Sequence, residues 1–303
     1  MSLYQKYRPQ TLDQVKGNSD ILLSLGNMLS NIKTCPHTFL LHGESGLGKT
    51  SIGRIIANRL GCVGADFREV NASDKNGVDD IRNIIQQSQF APIEGETIVW
   101  LIDEVQRISG AAANSFLKIL EDTPKHVFFV LATTEPQKLL PTIRGRCQQF
   151  QVKPLTENQM FALLRKIVKE EGETLEQEVF DQIIQDALGH PRNALQILEQ
   201  VLSVPPDKRL EIAHQTATEQ SQMSELCRAL IKGEKWGTVS KILQGLKDQE
   251  PESIRRMVLG YMQAILLKEA NQRAAFVMEC FWEVTYNHGF PMIVYNSFLA
   301  TNK

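Results

Sequence analysis

The chain predicts an α/β fold, a parallel five-stranded sheet with helices on both faces followed by all-helical segments, on three observations. Between residues 37 and 152, short apolar runs (HTFLLH, DFREVN, TIVWLI, VFFVLA and QQFQV) alternate with helical patterns, and strands separated by helices imply parallel pairing. A glycine-rich stretch, GESGLGKT at 43–50, falls directly after the first run and before the helical SIGRIIANRL. From Pro154 onward the apolar spacing changes to i, i+3, i+4, i+7 and no strand signal returns.

The glycine-rich stretch has the G-x-x-x-x-G-K-[ST] form of a P-loop. In such a loop successive backbone N–H groups turn inward around phosphates, which makes Gly43, Glu44, Ser45, Gly46, Leu47, Gly48, Lys49, Thr50 and Ser51 candidate nucleotide-binding residues. Lys49 would bring positive charge to the β and γ groups and the Thr50 hydroxyl would coordinate Mg²⁺. A plain glycine-rich turn would not require the strand before it and the helix after it.

The run TIVWLIDEV ends in Asp103 and Glu104. Carboxylates at the C-terminal edge of a parallel sheet open onto the ligand crevice. Asp103 can hold Mg²⁺ through water there, and Glu104 can orient or deprotonate the water that attacks a γ-phosphate. Alone, the pair would equally read as a helix start with an acidic first turn. Together with the P-loop it points to hydrolysis of the bound nucleotide and not to binding alone.

VFFVLATTEP delivers Thr133 and Thr134 to the same edge, where a hydroxyl either bonds the attacking water or the γ-phosphate, or caps the next turn. The segment PTIRGRCQQF, 141–150, carries Arg144 and Arg146 with no acidic neighbour. Lying just before the last strand, these arginines are expected at the flank of the domain. There Arg146 would act either as an arginine finger on a nucleotide held by a neighbouring molecule, or as a surface arginine paired with a lid carboxylate.

In the helical part, Thr156 followed by Gln159 forms a capping box, and Met160, Leu163, Leu164, Ile167 and Val168 keep the helical spacing. LEQEVFDQIIQDAL and RNALQILEQVL complete a small bundle, which Pro205 and Pro206 break at an expected hinge. ELCRALIKG, TVSKILQGLK, SIRRMVLGYMQAILLKEA and AFVMECFWEV again read as helices. The expected domains are therefore 1–153, 154–204 and 205–303. A chain of 303 residues, 42% hydrophobic and 22% charged, is of a size for two or three domains.

A formal net charge of −2 gives no bulk attraction to nucleic acid, so any DNA contact must come from a local patch or from surfaces pooled over several subunits. Cys35, Cys62, Cys147, Cys227 and Cys280 are scattered without a C-x-x-C pair, which argues against a zinc module or disulfide scaffold and suits a reducing cytosol. MSLYQKYRPQ has no apolar signal core and no apolar run nears 18 residues. A soluble cytoplasmic protein without a membrane partner is the expectation.

Several stretches add a family resemblance, dense over residues 4–200 and fading in the last hundred. YQKYRPQTLDQVKGN and EVNASDKNGVDDIRN resemble the small ATPase subunits of DNA polymerase clamp loaders, of the AAA+ class, the second in their eukaryotic and archaeal form. DEVQRISGAAANSFLKILEDTPKHVFFVLATTEPQKL is similar to the bacterial γ-type subunit, and GHPRNALQILEQ to the family's sensor-2 helix. The resemblance implies that Arg8, Pro9, Val15 and Gly17 line an adenine pocket, that Thr134 is the sensor-1 residue, and that Arg192 reaches the γ-phosphate in cis. Gly145, Arg146 and Cys147 stand where the family has Ser-Arg-Cys, so the finger is kept and the serine lost. The four-cysteine zinc insertion of γ-type subunits is absent, a mixture that resembles a divergent bacterial or phage-borne loader.

The resemblance further implies ATP and Mg²⁺ as ligands, a helical lid, and an oligomerising collar in the last third. Other loader subunits would complete a ring of five that opens a sliding clamp on primer-template DNA and leaves after hydrolysis. Arg82 and Arg107, expected at the starts of two helices, are the candidate DNA-phosphate contacts, with ordinary solvated surface as the rival reading. Gly110 and residues 111–113 would allow close approach of a strand or simply pack, and Lys75 and Lys118 would couple DNA contact to Glu104. Two other functions compete: a different AAA+ DNA-dependent ATPase of restart or branch migration, and an inert scaffold. Intact Lys49, Thr50, Asp103, Glu104, Arg146 and Arg192 argue against the scaffold.

Overall fold

The computed structural model describes residues 2–74, 77–108, 110–247, 249–267, 270–283, 285 and 289–301. They fall into two compact units, Met1–Pro206 and Asp207–Lys303.

In the first unit β1 (Thr38–His42), β2 (Phe67–Asn71), β3 (Ile98–Asp103), β4 (Val127–Thr133) and β5 (Gln148–Gln151) form one sheet in the order β2-β3-β4-β1-β5, every neighbouring pair parallel. Helices α1 (Leu3–Lys6), α2 (Ser19–Met28), α3 (Lys49–Arg59), α4 (Val78–Gln87), α5 (Gly110–Glu121) and α6 (Pro141–Arg144) precede or interleave with the strands. After the sheet come α7 (Glu157–Glu170), α8 (Gln177–Ala187) and α9 (Pro191–Leu202).

Successive strand side chains point to opposite faces, so one continuous apolar run supplies both layers of the core. Phe39 and Leu41 of β1 pack with Leu25 of α2 and Ile52, Ile55 and Ile56 of α3, whereas Leu40 packs on the opposite face with Ile81 of α4, Phe116 of α5 and Ile143 of α6. Each such fully buried side chain contributes about 1.5–3 kcal/mol relative to exposure.

Helix α7 begins at the expected capping box. The Gln159 N–H donates to the Thr156 hydroxyl, and the Thr156 N–H donates to Gln159 Oε1 at 3.1 Å. Met160, Leu164, Ile167 and Val168 are its buried face. The amino-terminal segment is fastened to these helices: Lys6 Nζ reaches a Glu171 carboxylate oxygen at 2.7 Å and the Tyr7 hydroxyl donates to the same oxygen. Lys6, and then Tyr7, hold Glu171 below the usual carboxylate range.

The second unit is helical: α10 (Arg209–Lys232), α11 (Trp236–Gly245), α12 (Pro251–Leu266), α13 (Gln272–Cys280) and α14 (Phe290–Thr301). Leu226, Leu230, Leu243, Val258, Val277 and Ile293 are among its core residues. Helices α2 and α14 are additions to the expected elements. The α14 stretch, FPMIVYNSFLAT, has no charged residue and no clean polar face for periodicity to reveal.

At the start of α12 the buried Glu252 and Arg255 form a two-pronged pair at 2.9 and 2.7 Å. The Thr285 N–H and hydroxyl donate to the same carboxylate, and Arg255 also donates to the carbonyls of Phe281 and Trp282. The Arg255 guanidinium, aided by the Thr285 hydrogen bonds and opposed by burial, brings the Glu252 carboxyl down to about 2. No helix among the described residues is long and apolar enough to cross a membrane.

Candidate nucleotide site

The P-loop leaves β1, an interior strand between β4 and β5. The Gly43 N–H donates to the Thr133 carbonyl of β4 at 3.2 Å, and the Val152 N–H donates to the His42 carbonyl at 2.8 Å. Gly43 has φ 147°, and a Cβ there would stand 2.3 Å from the Val152 carbonyl oxygen, so only glycine fits. Gly46 and Gly48 also have positive φ, 81° and 94°. Leu47 is buried and anchors the loop in the core. Helix α3 then starts at Lys49, and the free N–H groups of its first turn make an anion-binding end.

Lys49 is only 6% exposed, and its Nζ donates to the carbonyls of Gly43 and Glu44, each at 2.8 Å. Burial lowers its pKa, and the charges of Asp103 and Glu104 work in the opposite direction. The Thr50 hydroxyl donates to Asp103 Oδ2 at 2.8 Å, while Asp103 Oδ1 accepts the Glu104 N–H at 2.9 Å. A hydroxyl and a carboxylate this close are hard oxygen donors of the kind Mg²⁺ takes, and the glycine cradle above them suits phosphates.

Glu104 leaves β3 in the left-handed region, φ 51° and ψ 39°. For a residue other than glycine this costs on the order of 1 kcal/mol or more, and such outliers cluster at functional sites. The Gln106 amide nitrogen donates to the Glu104 carboxylate and, at 3.3 Å, to the Thr134 hydroxyl, which itself lies 3.5 Å from Glu104 Oε2. Thr133 is fully buried. Its hydroxyl donates to Gln106 Oε1 at 2.6 Å and accepts the Glu135 N–H at 3.0 Å. Of the two threonines, Thr133 therefore takes the capping role and Thr134 stands beside Glu104.

Arg8, Pro9 and Val15 line one cleft with Tyr4, Tyr7, Gly46, Gly48, Ser51, Leu163 and Arg192. Gly17 stands behind this wall in a turn of φ 69° packed against Leu155. The Arg192 N–H donates to the Gly46 carbonyl at 3.4 Å, and its guanidinium lies 5.9 Å from the centre of the Tyr4 ring. The sequence reading gave no role to Gln106, Tyr4 or His190. His190 Nδ1 sits 2.8 Å from the Ser45 carbonyl and Nε2 2.9 Å from a Glu44 carboxylate oxygen. The available signal was its place beside Pro191 and Arg192 in GHPR.

Arg146 lies elsewhere. It precedes β5, whose Gln148 pairs with Phe39 near the start of β1, so it sits at the end of the parallel sheet opposite the P-loop. Its guanidinium pairs with Glu121, the last residue of α5, and donates to the Thr142 carbonyl at 2.9 Å. The carboxylate partner thus comes from α5, where a lid residue was the expectation. Cys147 beside it is turned inward on the Ile143 carbonyl, and burial pushes its thiol up to about 12, which leaves it a packing residue.

Arg82, expected at a helix start, stands in the second turn of α4, four residues past its first residue Val78, because Gly77 and Asp80 cap the helix further upstream. Arg107 closes the short 3-10 turn Val105–Arg107. Arg82, Arg107 and Lys118 are exposed, Ala112 and Ala113 pack into the core, a Cβ on Gly110 would meet nothing within 4 Å, and Lys75 lies outside the described residues.

Comparison with known proteins follows the same lines. Residues 64–156 match the family model described as DNA polymerase III, delta subunit, a span that includes Asp103, Glu104, Thr134 and Arg146. The chain is 33% identical over 230 residues to DNA polymerase III subunit gamma/tau of Mycobacterium tuberculosis, covering 68% of this chain and 40% of that protein. It is 36% identical over 222 residues to the tau subunit of Escherichia coli, covering 66% and 34%. The gamma subunit of Buchnera aphidicola is 34% identical over 221 residues, 66% of this chain and 61% of that one. The chain thus spans about two-fifths of the mycobacterial relative's length.

Among solved structures, the Thermotoga maritima RuvB Holliday junction branch migration motor has a TM-score of 0.62 at 19% identity, over 78% of this chain and 85% of that chain, a likeness of fold. The sequence relatives and the P-loop-bearing sheet agree, and the chain belongs to the AAA+ family that includes the gamma and tau subunits of bacterial DNA polymerase III.

Proposed function

We propose that this chain binds ATP with Mg²⁺ and hydrolyses it as a clamp-loader subunit, in a ring that opens a sliding clamp and places it on primer-template DNA. The observation that carries the reading is Thr50 bonded to Asp103, with Glu104 beside Thr134, at the lip of a P-loop in a relative of the gamma and tau subunits. Arg8, Pro9, Val15 and Gly17 shape the base pocket, and residues 43–51 cradle the phosphates. Thr50 and Asp103 would hold Mg²⁺, which when bound supplies charge neutralisation to the β- and γ-phosphate oxygens. Glu104 orients the attacking water and takes its proton, Thr134 bonds the water or the γ-phosphate, and Arg192 reaches the γ-phosphate in cis.

Arg146 works in trans, exchanging Glu121 for the nucleotide of a neighbouring subunit. Residues 1–153 form the motor domain, 154–204 its lid and 205–303 an oligomerising collar in a five-membered cytoplasmic ring. Arg82 and Arg107 hold DNA phosphates. The test is the ATPase rate of the assembled complex. A loader's rate rises jointly with clamp and primed DNA, whereas a rate that answers to DNA and ignores the clamp overturns the loader reading in favour of another DNA-dependent ATPase.

A further inference from the structure

We propose that Gln106 is a positioning residue that fixes the orientation of Glu104 by tying it to the two threonines at the end of β4. The proposal rests on the hydrolytic reading above.

Three of the four hydrogen-bonding positions of the Gln106 amide are engaged. Both donors are used, on Glu104 and Thr134, and the carbonyl oxygen accepts from Thr133. The direction of the amide is dictated chemically. A carboxylate only accepts, so the NH₂ must face Glu104, and turning the amide over would set two acceptors against each other. The oxygen end is anchored to a rigid point, because Thr133, the last residue of the central strand β4, is fully buried and its hydroxyl is itself held by the Glu135 N–H.

Glu104 needs such a tether. Its backbone is already off the strand in the left-handed region, and its side chain has three rotatable bonds before the carboxylate. Gln106 reaches it from the short 3-10 turn directly after, so turn and strand end together define where the carboxylate stands. A hydrogen bond to a charged group is directional, and its loss frees the base to populate unproductive rotamers. Length matters as well as chemistry: an asparagine would fall one methylene short of bridging Thr133 and Glu104.

The experiment uses the full chain in its assembled complex. Gln106→Leu, close in volume, is expected to lower kcat about 10- to 100-fold, the scale of a lost hydrogen bond to a charged group, while the equilibrium Kd for ATP stays within about twofold. Gln106→Asn should behave like Gln106→Leu. In a Glu104→Gln background the Gln106→Leu change should cause no further loss, because the residue it positions is already disabled.

A second readout needs no turnover. In the ¹⁵N-labelled nucleotide-free protein, the side-chain NH₂ resonances that vanish in Gln106→Leu should shift in Glu104→Gln and in Thr133→Val, and stay in place in Arg82→Ala. An unchanged or raised kcat, an equal fall in the Glu104→Gln background, or NH₂ resonances indifferent to Glu104→Gln overturns the proposal. If instead Glu104→Gln itself left hydrolysis at the wild-type rate, the hydrolytic reading would fail while the NH₂ shift still reported the tether.

Discussion

Each compact unit buries a cation near carboxylates, and the two groupings follow opposite plans. In the helical unit, Arg255 and Glu252 satisfy one another directly, Thr285 and Arg256 add hydrogen bonds to the carboxylate, and two backbone carbonyls accept from Arg255. In the sheet unit, Lys49 shares a crevice with Asp103 and Glu104, yet no ion pair links it to either among the described residues. Lys49 bonds the carbonyls of its own loop, Asp103 a hydroxyl and a backbone N–H, and Glu104 a neutral amide. Charges that neutralise each other serve the fold. Charges of opposite sign held apart on neutral partners, at a cost visible in the lowered pKa of Lys49, are arranged for a third charged body.

The largest effects should come from the open grouping and should touch function alone. Lys49→Ala is expected to abolish ATP binding, while Glu104→Gln keeps binding and slows turnover by about 10²- to 10⁴-fold, the usual contribution of a positioned base. Neither should cost the 3–5 kcal/mol, roughly, that removing one partner of a closed buried pair costs. Urea unfolding of Lys49→Ala checks this. A loss of that size would mean that Lys49 is a structural charge and the contrast between the units is false.

Next comes the arginine whose partner is an exposed carboxylate rather than a closed network. Arg146→Ala should leave ATP binding by an isolated subunit unchanged and cut hydrolysis in the assembled complex by about 10³-fold, the scale of a lost arginine finger. Arg146→Lys should rescue poorly, since an ammonium lacks the planar fork. Mixing Arg146→Ala with Lys49→Ala subunits should restore activity wherever an intact arginine meets an intact P-loop. Mixed complexes that assemble and recover nothing would return Arg146 to its pairing with Glu121.

For the closed grouping the expectation reverses, with stability lost and chemistry spared. Glu252→Gln should destabilise the helical unit by about 3 kcal/mol at neutral pH. The folded carboxyl lies at about 2, below its ordinary 4.5, so its contribution is fully present above about pH 4.5 and is lost as the pH falls through about 2. The gap between wild type and Glu252→Gln in unfolding free energy should therefore narrow across that window. A pH-independent gap would show that the pair contributes shape and not charge.

The sequence displayed the open grouping better than the closed one. A P-loop constrains successive residues, so its spacing is visible, and strands buried on both faces appear as unbroken apolar runs such as IVWLI. Glu252 and Thr285 are 33 positions apart and meet only after α12 and α13 pack, with no local pattern to announce it. The same holds for Gln106, whose anchor Thr133 arrives 27 residues later, and for Arg146, whose Glu121 lies 25 residues earlier. Arg82 was expected at the start of its helix, after NASDKNGVDD. The Asp80 side chain accepting the Gly77 N–H had already begun the helix.

The smallest expected effect asks how far the open character extends beyond the crevice. Arg82 is 71% exposed and its partner Asp79 91%, and an i,i+3 pair in such surroundings contributes about 0–1 kcal/mol, so the guanidinium is readily exchanged for a phosphate. Arg82→Ala should therefore leave folding within about 0.5 kcal/mol of wild type. It should weaken binding of the assembled complex to primer-template DNA only a few-fold, equally on every sequence, and lower the slope of log affinity against log salt by about 0.9. Arg107→Ala should match it in slope but differ in consequence, because Arg107 closes the turn that begins at Glu104 and carries Gln106. If that turn carries the DNA signal to the base, Arg107→Ala will depress DNA-stimulated turnover at saturating DNA, where Arg82→Ala does not. Equal behaviour of the two variants at saturation would confine both arginines to holding the backbone, and the route from DNA to Glu104 would have to run elsewhere. A loss confined to one base sequence would instead mean readout of base edges, which two arginines aimed at phosphates cannot supply.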